Sequence, residues 1–136
     1  VYDRAHTREI GKFGGLATEM PLYAGFVGLA FMASLGLPGL SGFVGEALVF
    51  LGALPVFPVM TVIAVTGVVI TAAYHLWALQ RVFLGKFNEK WADLPDMTAR
   101  ELISIVPLAV LTVLFGVYPK WPLDLMNKTI EHMLGK

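Results

Sequence analysis

The chain has 136 residues, 57% of them hydrophobic and 15% charged, with a mean hydropathy of +0.71. Ten basic and ten acidic side chains cancel, which removes the electrostatic case for a nucleic-acid binder. Cys is absent and the three His lack zinc-site spacing, so disulfides, thiolate metal sites and thiol catalysis are excluded.

The first segment, 1–19, is charged and begins with Val1 rather than Met, as expected of a piece cut from a longer chain. A charged start followed by several deep apolar runs does not fit a secretory signal peptide. From Met20 to Gln80 the one formally charged side chain is Glu46. That stretch is about 60 residues, against roughly 20 for one bilayer crossing. Pro55 and Pro58 cannot continue a helix and mark a tight, uncharged turn. A second interruption, Gly36-Leu37-Pro38-Gly39-Leu40-Ser41-Gly42, falls inside the first apolar run. An unbroken helix over 20–54 would reach about 50 Å, well beyond a hydrocarbon core of about 30 Å.

Charge sidedness favours one discontinuous crossing, 20–36 and 41–54, over two full ones. It puts Arg4, Arg8 and Lys12 on the same side as Arg81, Lys86, Lys90 and Arg100. A second span then covers 58–81, and a third, free of charge from Leu102 to Pro119, covers 101–118. Pro107 is positioned to kink the third span. The tail spaces Leu123, Met126, Ile130, Met133 and Leu134 as one face of a surface helix over 122–134. The fold class is all-α and polytopic, with 1–19 and 82–100 cytoplasmic and the tail on the outer side. Ser41 is placed to cap the second half-helix, and Thr98 with Glu101 forms a capping-box spacing. Trp77, Trp91 and Trp121 read as an aromatic belt, and Arg81 and Lys86 as anchors that snorkel from the second span.

Glu46 is the candidate for chemistry. An ionised carboxylate near a bilayer centre costs at least about 2.5–3.5 kcal/mol, so the group takes a proton or finds water and a partner. Desolvation moves a carboxyl towards the range in which it loads and unloads a proton. The break at Pro38, Gly39 and Gly42 exposes backbone that membranes tolerate only beside a polar cavity or inside protein. A fixed ion pair to a neighbouring helix is the competing role for Glu46. Thr66, at nearly the same depth, is within reach of hydrogen-bonding to it, or else bonds its own helix. His75 is a second candidate proton carrier, or an interfacial ring stacked among Tyr74 and Trp77.

The run Leu35-Gly36-Leu37-Pro38-Gly39-Leu40-Ser41-Gly42-Phe43-Val44-Gly45-Glu46 closely resembles the signature of the proton-pumping M subunits of bacterial NADH:quinone oxidoreductase (respiratory complex I). Tyr2-Asp3-Arg4-Ala5-His6-Thr7-Arg8, Gly14-Gly15-Leu16 and Met97-Thr98-Ala99-Arg100-Glu101-Leu102 carry the likeness across the chain. The resemblance implies that 1–136 is the C-terminal part of an antiporter-like, proton-translocating membrane domain whose twelfth helix is discontinuous. It makes Glu46 a proton-channel residue and implies neighbouring antiporter-like subunits L and N as partners, within the lipid bilayer. It further implies an enzyme subunit without cofactor, metal or redox centre of its own, coupled to NADH oxidation and quinone reduction elsewhere. The D-type subunit of a multisubunit Na⁺/H⁺ antiporter shares the fold and is the nearest alternative, with a purely structural membrane module as the other.

Overall fold

The computed structural model describes residues 1–133, and every regular element among them is helical. After α1 (Tyr2–Ala5) and a 3₁₀ turn (Ile10–Lys12) come α2 (Pro21–Ser34) and α3 (Ser41–Ala53). Then α4 (Pro58–Leu79) runs on through a π turn (Gln80–Leu84), and a 3₁₀ turn (Glu89–Trp91) leads to α5 (Ala99–Val117) and α6 (Lys120–Met133).

The boundaries follow from the residues. Pro21 and Pro58 stand at helix starts, where the missing N–H costs nothing and the ring presets φ. The apolar helix Pro58–Leu84 has 27 residues, about 40 Å, and α5 has 19, about 28 Å, so each is long enough to cross a bilayer. With 14 and 13 residues, α2 and α3 reach only about 20 Å each and make one crossing between them. Valines and isoleucines of α4 and α5 lie exposed along nearly their whole length. Such a surface is stable only against hydrocarbon or other apolar helices.

Differences from expectation are small but instructive. The second span is longer than 58–81, ending in the wide turn at Leu84, and the third begins at Ala99 rather than 101. The surface helix starts at Lys120 rather than 122; Leu134 lies outside the described residues. Pro107 sits inside α5, which remains one helix. Ser41 does not cap α3. The preceding turn, closed by the Leu40 amide donating to the Leu37 carbonyl at 3.0 Å, ends on Leu40, so Leu40 flanks the helix and Ser41 is already inside it. The capping box at Thr98 forms as expected, with the Thr98 hydroxyl and the Glu101 carboxylate each accepting from the other's amide.

The core gathers at one polar end of the bundle. The Leu16 amide donates to the Val82 carbonyl at 3.2 Å and the Ala17 amide to that of Phe83 at 3.1 Å. These bonds satisfy carbonyls that a helix end leaves open. They lay Leu16 against Leu79, Phe83 and Trp91. Trp91 is not in an interfacial belt. It is buried beside Phe13, ring centroids 5.3 Å apart, because its indole N–H finds the Lys12 carbonyl at 2.9 Å. Gly15 has φ 63°, and a Cβ there would lie 2.6 Å from the Phe87 Cα and 2.8 Å from the Gly85 carbonyl oxygen.

A carboxylate far away in sequence starts α2. Met20 offers that helix no side-chain cap, and Asp96 accepts from the amides of Leu22 and Tyr23 at 2.9 and 3.1 Å. Desolvation pushes the Asp96 carboxyl up, but the amides of Leu22, Met97 and Tyr23, with Arg4, outweigh it and hold it below its ordinary value. Arg4 in turn pairs with Glu101 at 2.7 Å, tying α1 to the start of α5.

Two outcomes are expected. Gly15→Ala forces a side chain into a left-handed backbone and should lower stability by at least about 1–2 kcal/mol, read as a fall in Tm of the detergent-solubilised full-length protein. Asp96→Asn leaves one acceptor oxygen for the two amides and should weaken the start of α2 by about 1 kcal/mol. A carboxyl lowered by folding stabilises above its unfolded pKa, and that stabilisation fades as pH falls through the lowered value. The wild type should therefore lose more Tm between neutral pH and pH about 3 than Asp96→Asn does.

Candidate functional site

The break between α2 and α3 is built from glycine. Gly36, at φ 66°, follows Leu35, the C-cap of α2. Its amide donates to the Ala33 carbonyl and the Leu37 amide to that of Met32, both at 3.2 Å. This is a Schellman turn, which ends a helix by returning two amides to its last carbonyls. Gly39, at φ 95°, then redirects the chain past Pro38 into α3. Gly42 lies so close to the Ala33 carbonyl that a Cβ would collide with it. The two half-helices therefore meet backbone to backbone.

A third wall comes from α5. A Cβ on Gly116 would run into the Gly39 carbonyl and the Leu40 backbone, so the turn rests directly on that helix. Sequence reasoning missed this brace, although Gly116 is the one glycine between Leu102 and Pro119 and marked a close approach.

Glu46 stands five residues into α3 and is half-buried. Side chains on a helix lean toward its N-terminus, so this one reaches back to the break. Its carboxyl carbon would lie 2.9 Å from a Cβ on Gly36, so a side chain there would push the carboxyl aside. The acid thus sits on the turn, near the amide-rich start of α3, where the helix dipole favours negative charge. Among the described residues the ion pairs are Arg4–Glu101 and Lys12–Glu9, and none includes Glu46.

Neither of the other two candidates bonds to it. Thr66 donates its hydroxyl to the Ile63 carbonyl at 2.6 Å rather than to Glu46, as hydroxyls in apolar helices commonly bond their own backbone. His75 has Nδ1 2.9 Å from the Thr71 carbonyl oxygen, which can only accept, so that nitrogen bears hydrogen in the bond. Its ring stacks on Tyr74 at 4.5 Å and meets Phe31 of α2 edge-on at 4.9 Å. Trp77 is not part of that stack; Arg81 lies over it instead, 5.4 Å from the ring centre.

Residues 1–71 match the family model described as NADH:quinone oxidoreductase/Mrp antiporter, TM. The chain is 44% identical over 135 residues to NADH-quinone oxidoreductase subunit M of Rhodobacter capsulatus, covering 98% of this chain and 26% of that protein. It is 45% identical over 135 residues to F(420)H(2) dehydrogenase subunit M of Methanosarcina mazei, covering 99% of this chain and 27% of the relative. In a solved structure, respiratory complex I from Thermus thermophilus with bound NADH, one chain superposes with a TM-score of 0.80 at 38% identity. That match covers 88% of this chain and 25% of the other. The chain spans about a quarter of the length of the relatives it matches.

Gly36→Ala is expected to displace the Glu46 carboxylate as well as strain the turn, costing about 1–2 kcal/mol from the backbone alone. Gly45→Ala, inside α3 with open space around it, serves as the control and should leave Tm unchanged or slightly raised.

Proposed function

We propose, on the premise that this chain belongs to the NADH:quinone oxidoreductase/Mrp antiporter transmembrane family, that Glu46 carries protons through a membrane subunit coupled to electron transfer. One observation carries the reading: the carboxyl lies against the turn of a broken membrane helix, with no cation of the described residues paired to it. An acid in hydrocarbon without a salt bridge favours its protonated form, and water admitted at the turn favours the ionised form. Alternation between those two surroundings loads and releases one proton. The break supplies backbone groups that can hold such water.

Two relatives support the coupling, since both are M subunits, one of a quinone oxidoreductase and one of a dehydrogenase. In this reading the chain supplies no redox centre and no cofactor site. The 136 residues lack the thiolates on which iron–sulfur clusters depend. The proposed partners are the neighbouring antiporter-like subunits L and N. The proposed orientation has 1–19 and 82–100 on the cytoplasmic side, following the clustering of Lys and Arg there. Thr66 and His75 act as packing residues, the Thr66 hydroxyl and the His75 Nδ1 each bonded to a carbonyl of their own helix.

The test is Glu46→Gln in the whole complex, assayed in membrane vesicles for proton uptake and for electron transfer. Uptake per electron should fall by the share this subunit carries while the complex still assembles. Glu46→Asp, which keeps the acid one methylene shorter, should retain part of it. Unchanged pumping in the Gln variant would sink the proposal, and failed assembly in Gln but not Asp would point to a structural ion pair instead.

A further inference from the structure

We infer that the polar end of α4 binds the phosphate headgroup of an anionic phospholipid, held between Arg81 and Lys86. The inference stands on α4 crossing a bilayer and is independent of Glu46. A cavity of about 380 Å³ opens there, lined by Phe13, Trp77, Gln80, Arg81, Gly85 and Lys86. Among the described residues neither Arg81 nor Lys86 has an ion pair; the acids that pair do so with Arg4 and Lys12. Two cations without carboxylates, facing one cavity beside the Gln80 amide, make a site whose missing component is an anion. The guanidinium is steadied by the Trp77 ring beneath it, 5.4 Å from the centre.

The walls are fixed by backbone. The Asn88 amide donates to the Gly14 carbonyl at 3.2 Å, and the Leu16 amide reaches across to Val82. The π turn widens the helix at Gln80–Leu84, where Arg81 lies and just before Lys86. An anion entering the cavity meets positions already ordered by these bonds.

The apolar surroundings decide between a lipid and a free anion. Ile63, Ile70, Tyr74, Trp77 and Arg81 recur at i, i+7, i+11, i+14 and i+18, one stripe along α4, and the four before Arg81 are exposed. The cationic cavity thus opens at the end of an apolar track along a membrane helix. An acyl chain fits that track while its phosphate fits the cavity. Interfacial Lys and Arg near anionic lipid act this way elsewhere.

The test uses the assembled complex, with the full-length subunit, in membranes doped with photoactivatable phosphatidylglycerol or photoactivatable phosphatidylcholine. Cross-links are mapped to 58–86 by mass spectrometry. Phosphatidylglycerol should label the stripe several-fold more than phosphatidylcholine. Arg81→Gln and Lys86→Gln should each lower that labelling about fivefold, leaving labelling of other subunits unchanged. Excess inorganic phosphate should not compete. Equal labelling by the two lipids, or full labelling in both variants, overturns the inference, and complete competition by phosphate would make this a free-anion site. The lipid and phosphate arms need no variant and so decide the matter even where a substitution prevents assembly.

Discussion

Two amide-to-carbonyl bonds, from Leu16 to Val82 and from Ala17 to Phe83, organise one end of this molecule. A membrane helix reaching the interface leaves carbonyls that need donors, and the first amides of a passing turn need acceptors. Each solves the other's deficit. Once joined, they bury Leu16 among Leu79, Phe83 and Trp91 and bring Gly15 so near the Gly85–Phe87 backbone that only glycine fits. Asp96 then reaches the first amides of α2, and Arg4 reaches Glu101 at the start of α5. All three crossings are therefore registered at the same polar end by hydrogen bonds and charges, while the opposite end carries the short uncharged turn after α3 and the start of α6.

The break is a second solution to the same backbone problem, this time deep in apolar sequence. Ending α2 with a Schellman turn returns amides to carbonyls that hydrocarbon would leave unsatisfied. Gly36 serves two needs at once: it accepts a positive φ, and its missing Cβ leaves the space that the Glu46 carboxyl occupies. The backbone interruption and the acid are thus one structural unit. Moving either disturbs the other.

Much of this was legible in the sequence because prolines, glycines and charges punctuate membrane helices sharply. Pro55, Pro58, the Gly36–Gly42 run and the Thr98–Glu101 pair located every span to within about two or three residues, the usual uncertainty of helix ends. What misled was long-range geometry. Trp91 matched an aromatic belt by type and position, but a three-residue turn folds it back onto Phe13 and the Lys12 carbonyl. The bond between Asp96 and Leu22 spans 74 positions, and no local pattern announces it. The direction of Glu46 along its helix was implicit in α-helical side-chain lean. Its contact with Gly36 required the angle between two half-helices, which composition does not encode.

Gly116 packs on the Gly39 carbonyl and the Leu40 backbone with no room for a methyl group. Position 116 and the shape of the 36–40 turn therefore form a single evolutionary character. A lineage that acquires a bulkier residue at 116 has to shift or straighten the turn in compensation, and covariation between these distant positions is the record such a constraint leaves among homologues.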